Sequence, residues 1–318
     1  MKRKTMITVC CLAIWVGNIM AQDGKGSYAL VSLNTGLSTL GFKVTGLDGV
    51  AGSVTSGVGI GVGIKYNYYF TSHWGIGTGI GLSVYNSSAT LKGGMDDKNR
   101  YLLGPYMDDD NSGLPKAFEL RARVENIKEK QNIQLFEIPL ALQYQTRFSY
   151  GKWGAYGSLG VKFQLPIVKK FNVASHADGR LNVSGYYTDG SQNFDMGAPG
   201  TLPLPDHGFG TVDNPGKTLK WKGDTTLKTG MAGTLEAGVI SRLNDESDFL
   251  IGAYLDYGFN DIKDSNIPLI EGPAESYHPA ANDNIGKGIV YNGLLNTSLT
   301  DRIKPLSFGI KLGIRFKL

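Results

Sequence analysis

Four histidines, two acidic runs and a set of spaced charges are the side chains in this sequence with chemistry to offer. Ser175-His176-Ala177-Asp178 and Asp206-His207 put imidazoles beside hydroxyl and carboxylate groups, the components of a hydrolytic triad or a metal site. His73 and His278 stand apart from them. Asp96-Asp97 and Asp108-Asp109-Asp110-Asn111 present oxygen ligands suited to Ca²⁺, but without the spacing of an EF-hand loop. The only cysteines, Cys10 and Cys11, fall in the leading segment described next, so the remainder has no disulfide, thiolate metal site or cysteine nucleophile. Catalysis requires groups held on rigid elements, so the elements decide what these residues do.

Lys2, Arg3 and Lys4 precede an apolar run from Met6 to Ile19, and Ala21 is a small residue at a cleavage point before Gln22. Residues 1–21 therefore read as a secretory signal peptide, leaving residues 22–318 as one exported domain. Much of the formal charge of +4 leaves with the three n-region cations, and the near-neutral remainder gives nucleic-acid binding no support. The 318 residues include 44 glycines, about twice the usual share, and aromatics make up 10%, too many for a disordered chain. Beyond residue 21 no run of 18 apolar residues occurs, which excludes a helical membrane span. Two classes remain, a secreted or periplasmic β protein and an outer-membrane β-barrel.

Alternation with period two dominates the rest of the chain. Leu306, Phe308, Ile310, Leu312, Ile314, Phe316 and Leu318 alternate with Ser307, Gly309, Lys311, Gly313, Arg315 and Lys317, the signature of a strand with two unlike faces. Eight such segments are predicted, at about 28–37, 57–70, 74–85, 133–147, 153–165, 229–242, 248–260 and 305–318. Their connections alternate between short turns and long stretches at about 38–56, 86–132, 166–228 and 261–304. This is the plan of an all-β fold, an eight-stranded antiparallel up-and-down transmembrane β-barrel with long extracellular loops and both termini at the short-turn end.

Charge decides which face meets lipid. The apolar faces carry no Asp, Glu, Lys or Arg, whereas Lys65, Glu137, Arg147, Lys162, Glu236, Arg242, Asp256, Lys311 and Arg315 lie on the other face. A Lys or Arg against mid-bilayer lipid costs about 2–4 kcal/mol, so several would exceed the whole stability of a typical domain. The charged face must point inward, where an eight-stranded barrel is just wide enough to be filled by side chains. Glu137, Glu236 and Asp256 are expected to pair there with Lys65, Lys162, Arg242, Lys311 and Arg315 in a plugged core rather than a pore. Gly57, Gly59, Gly61, Gly63, Gly75, Gly77, Gly79 and Gly81 make room for them. Their GxGxxG-like spacing is mid-strand with no following helix, which rejects a nucleotide fingerprint. Tyr66, Tyr68, Phe70, Trp74, Tyr144, Phe148, Trp153, Phe249 and Phe316 are expected to form one interfacial girdle, and Tyr85, Tyr257 and Phe259 the other.

The paired hairpins, Phe136-Glu137-Ile138-Pro139-Leu140 at the entry to the fourth strand, Ala21-Gln22 and the alternating last strand resemble the eight-stranded OmpA-like barrels, and more closely the PorT-like outer-membrane β-barrel family. The resemblance covers about residues 27–318. The strand plan reads as a non-enzymatic integral outer-membrane protein that serves envelope structure or surface interaction, to which the resemblance adds a role as a secretion accessory. The resemblance also implies a last strand read by the barrel-assembly machinery. That signal usually ends in an aromatic residue, and here Leu318 departs from it while Phe316 stands two residues earlier. Nothing follows the eighth strand that resembles a peptidoglycan-binding domain.

With the strands placed, His176, His207 and His278 fall within long outer loops rather than on staves, and His73 in a short turn. They are read as solvated loop residues, so no catalytic, metal or cofactor site is expected. The alternatives are a lipid-modifying enzyme using those histidines and a small-solute channel. The expected partners are outer-membrane lipid and lipopolysaccharide, which the acidic runs could meet through divalent ions, the assembly machinery during biogenesis, and a surface ligand or secretion component met by the loops.

Overall fold

The computed structural model describes residues 25–44, 51–92, 101–108, 116–148, 152–174, 178–187, 193–194, 210–272, 286 and 288–318. Residues 1–21, read above as an export signal, lie outside the described residues. Eight strands close on themselves: β1 (Gly26–Thr39), β2 (Ala51–Tyr69), β3 (Trp74–Lys92), β4 (Ile127–Arg147), β5 (Trp153–Ala174), β6 (Gly230–Arg242), β7 (Ser247–Gly258) and β8 (Leu306–Lys317). Each pairs antiparallel with its neighbours in the chain. β8 returns to β1, with Ala29 opposite Phe316 and Leu37 opposite Phe308, so the sheet has no free edge in the barrel. The architecture is the all-β, eight-stranded antiparallel barrel expected from the alternation.

Local chemistry shapes the short turns. Between β2 and β3 the Thr71 hydroxyl oxygen accepts from the amides of His73 and Trp74 at 3.2 and 2.8 Å. Between β6 and β7 the Asn244 side-chain oxygen accepts from the Glu246 amide and the Ser247 hydroxyl at 3.0 and 2.9 Å. Both are side-chain mimics of a backbone turn. Pro139 cannot donate to a ladder, and the β3–β4 register has a gap between Thr78/Leu140 and Gly81/Glu137. On the lipid face there, the Thr78 hydroxyl donates to the Pro139 carbonyl at 2.9 Å, which satisfies both groups in a region without water.

Four staves are longer than the alternation predicts. β2 begins at 51 rather than about 57, β3 runs to 92 rather than about 85, β4 begins at 127 rather than about 133, and β5 runs to 174 rather than about 165. The physical reason is a change of solvent along the strand. On β3, apolar residues through Leu82 point outward; beyond them Tyr85, Ala89 and Leu91 are buried inward while Asn86, Ser88 and Thr90 point out. On β4 the same inversion separates inward Ile133 and Leu135 from outward Phe136, Ile138 and Leu140. A bulge between Gln134 and Leu135 in the β4–β5 register accompanies it. Period two is kept throughout, but lipid outside demands apolar-out and water outside demands apolar-in, so the phase flips.

The extensions support a cap built from the long connections. A second sheet orders its strands as 210–213, 180–187, 116–125 and 101–108, with 193–194 added to 180–187. Asn126, with φ 47°, turns the chain from this sheet into β4, a left-handed conformation that Asn tolerates well. Lys222–Asp224 adds to β5, and Ile270–Glu271 pairs with Val290–Tyr291. One apolar cluster joins these parts, including Leu40, Tyr85, Ile133, Leu135, Phe171, Leu181, Trp221, Ile262, Leu294 and Ile303. Trp221 stacks on Tyr291 with ring centroids 5.0 Å apart. The long connections are thus partly folded against one another, with a core of their own above the membrane band.

Candidate functional site

The inward charges assemble in three tiers along the lumen. At the short-turn end, Arg315 on β8 reaches Asp248 on β7 through Nη2 at 2.6 Å and Gln145 on β4 through Nη1 at 2.8 Å. Its guanidinium lies 4.4 Å from the centre of the Tyr28 ring. Arg147 Nη2 also donates to Asp248, at 2.8 Å. In the middle tier Glu236 on β6 accepts from Lys65 on β2 at 2.7 Å and from Lys311 on β8 at 2.6 Å, so one carboxylate ties staves on opposite sides of the barrel. In the upper tier Lys162 on β5 donates to Asp256 on β7 at 2.6 Å and to Glu137 on β4 at 3.2 Å, and Gln164 donates to Glu137 at 2.9 Å.

Small residues make these reaches fit. A Cβ on Gly77 would fall against the Asn67 amide oxygen, and one on Gly252 would meet the Tyr156 hydroxyl at 2.6 Å. Lys65, Glu137, Lys162, Glu236, Asp256, Lys311 and Arg315 are all buried. A space of about 10 Å³ bordered by Asn34, Gly61, Tyr85 and Asp256 has room for about one water. Above it the apolar cluster of the cap lies over the mouth. Chemically the arrangement is a set of cross-braces, each charge answered in a low-dielectric interior where an unanswered one would cost several kcal/mol.

Two of the expected positions differ. Arg242 has inward parity but lies exposed at the end of β6, where its amide donates to the Lys152 carbonyl in the turn region. Asp248, at the boundary of the predicted seventh strand and of the same inward parity as Asp256, is a further member of the network, the carboxylate opposite Arg315. Tyr85, assigned above to the outer girdle, is instead 1% exposed and faces inward, where Gln164 approaches its hydroxyl at 3.5 Å. Its odd parity on β3 already placed it opposite the lipid-facing Val84. The girdle at the short-turn end does form contacts, with Trp74 edge-on to Tyr144 at 5.0 Å.

His73 lies in the β2–β3 turn with its Nδ1 2.8 Å from the Ser72 hydroxyl. His176, His207, His278, Asp96, Asp97, Asp109, Asp110, Asn111 and the prolines at 199, 203 and 205 lie outside the described residues. Among the described residues no cluster of three His, Cys, Asp or Glu side chains is arranged to hold a metal.

A buried carboxylate in the cap has no counterpart in the sequence reading. Glu129, on the β4 extension, is fully buried. It accepts from the Tyr291 hydroxyl and the Leu294 amide at 2.8 Å each, and from Gln131 Nε2 at 2.8 Å. Burial raises its pKa above the usual value near 4.5, and the three donated hydrogen bonds offset this only in part. It fastens the returning segment 288–296 to the staves.

Comparison with known proteins matches the family described as outer membrane protein beta-barrel domain over residues 20–264. Curated proteins give no match. Among solved structures the chain is similar to the outer membrane protein OprG from Pseudomonas aeruginosa, at 12% identity and TM-score 0.36, covering 94% of this chain and 99% of that one. It is also similar to Neisserial surface protein A, at 12% identity and TM-score 0.33, covering 92% and 97%. A third similar structure is Ail of Yersinia pestis, solved with the heparin analogue sucrose octasulfate, at 11% identity and TM-score 0.27, covering 92% and 99%.

Proposed function

The chain belongs to the outer membrane protein beta-barrel domain family, and on that premise we propose that it is a non-enzymatic integral membrane protein with a structural lumen and a working cap. In this reading residues 1–21 are cleaved on export, the short turns face the periplasm, and the cap stands outside the cell. The barrel-assembly machinery inserts it through its last strand, with Phe316 on the lipid face serving where a terminal aromatic is usual. The cap then contacts a surface ligand or, in the version the PorT-like resemblance favours, a secretion component.

The observation that carries this reading is the cross-braced lumen. Lys65–Glu236–Lys311 and Glu137–Lys162–Asp256 span the lumen at successive heights, which supports a lumen closed to solutes. A barrel closed to solutes does its work on its surfaces, and the folded part beyond the membrane is one of them. The test is electrical: purified protein in planar bilayers should give no steady conductance above leak, and stepwise channels would overturn the sealed lumen. Replacing His176, His207 and His278 together by Ala should leave the lipid A profile of the host unchanged by mass spectrometry; an altered profile would make the protein an enzyme.

A further inference from the structure

We propose that the upper tier of the lumen makes its own covalent staple, an amide bond between the Lys162 amine on β5 and the Asp256 carboxyl on β7, with Glu137 on β4 as the base. Lys162, Asp256 and Glu137 are 4, 3 and 4% exposed. They meet at one atom, for Lys162 Nζ lies 2.6 Å from Asp256 Oδ2 and 3.2 Å from Glu137 Oε2. Register fixes the meeting. Lys162 is opposite Ala232 and Asp256 is opposite Thr234 on the intervening β6, so the two side chains reach each other on a diagonal across one stave. The short contact to Oδ2 holds Nζ about 3.5 Å from Cγ, the separation of a near-attack pair. Reacting groups well oriented within one molecule behave as if at about 10⁵ M or more.

Glu137 adds what an ordinary ion pair lacks. Gln164 Nε2 holds its Oε1 at 2.9 Å, which leaves Oε2 on the ammonium. Oε2 takes one proton from Nζ, and the freed lone pair attacks Cγ of Asp256. The Nζ–Cγ bond forms and one Cγ–Oδ bond breaks. The leaving oxygen collects a second proton from Nζ and the one held by Glu137. An ammonium and a carboxylate have become a neutral amide and one water, with Glu137 ionised again and no other reactant consumed. Two features favour the products. Two opposite charges disappear from a low-dielectric interior, which removes the cost of holding them there. The space of about 10 Å³ bordered by Asp256 and Asn34 has room for the water released, and Asn34 Oδ1, buried and without a hydrogen-bond partner among the described residues, can accept from it. The middle tier is an internal contrast. Glu236 accepts from both Lys65 and Lys311, and among the described residues no second carboxylate bonds either ammonium.

The experiment takes the full chain, unfolded in urea, refolds it into detergent and samples it over time by mass spectrometry of the intact protein and of its proteolytic peptides. Heat-dependent gel mobility reports separately that the barrel has folded. The expected result is a mass lower by one water, together with a branched peptide in which Lys162 carries the segment containing Asp256. The branched peptide assigns the loss, since a succinimide elsewhere also sheds water but joins no two segments. Lys65 and Lys311 should remain in linear peptides. In Glu137→Gln the branched peptide should appear at least about a hundredfold more slowly, with gel mobility kept. Should that variant not fold, Glu137→Asp, which draws the carboxylate back by one methylene, should slow it at least about tenfold. Only linear peptides for Lys162 and Asp256 in folded wild-type protein would overturn the staple. A branched peptide formed at the wild-type rate in the folded Glu137 variant would overturn the role of Glu137 as base.

Discussion

Glu236 and Arg242 lie six residues apart on one face of β6, yet they have opposite expected sensitivities. Glu236 answers two buried ammonium groups, so Glu236→Ala leaves both Lys65 and Lys311 short of a partner in the lumen. The expected loss is about 3–5 kcal/mol in urea unfolding from lipid vesicles. Arg242 is exposed, and Arg242→Ala should leave the same curve within its error. The parity of both residues is legible in the sequence; the difference between them is not, because burial depends on where the turn ends the stave. Glu129 sets a pH dependence. Its folded-state pKa is raised above the unfolded value near 4.5, so the folded state holds its proton more tightly and gains stability at acidic pH. That contribution is full below about 4.5 and is lost as pH rises toward the raised value. Amide protection of Leu294, referred to intrinsic exchange at each pH, should accordingly fall as pH rises through this window. Glu129→Gln should remove the dependence.

Each stave meets two solvents, and the phase inversion along β3 and β4 is the signature of that. Within the membrane band, Leu312 is lipid-facing and Lys311 is buried in the lumen. Leu312→Arg should block membrane assembly at a cost of about 2–4 kcal/mol, whereas Lys311→Gln leaves Glu236 its bond to Lys65 and should be tolerated better. Recovery of each variant in the heat-shifted gel form checks the ranking, and the reverse order would reverse the facing assignment. Beyond the band the rule is opposite. Ala89 is buried in the cap core while Ser88 faces out, so Ala89→Asp should open the cap to protease and Ser88→Asp should not, with the barrel's gel mobility kept by both. The eight membrane segments were legible because lipid punishes a single misplaced charge. The extensions were not, since their alternation continues with the apolar set moved to the other face, which reads along the sequence as a strand ending.

At the scale of the whole molecule, a closed barrel with a braced lumen supports a cap that one apolar cluster ties to its rim. Closure leaves no unpaired strand edge in the membrane band, so unboiled protein should migrate differently from boiled protein in detergent gels, and identical mobility would contradict the ring of pairings from β1 round to β8. Sequence alone determined the class, the number of staves, the inward and outward sets, the alternation of short and long connections and the mixed-sign charged interior. Those follow from local rules, a two-residue period and the cost of charge in hydrocarbon. Only the tertiary structure decided that Asp248 answers both Arg315 and Arg147, that Glu129 pins the cap, and that lysines from β4, β5 and the 222–224 strand share one wall. Each of these depends on register between segments far apart in the chain, and register is set by pairing and packing in three dimensions, which no single segment's pattern contains.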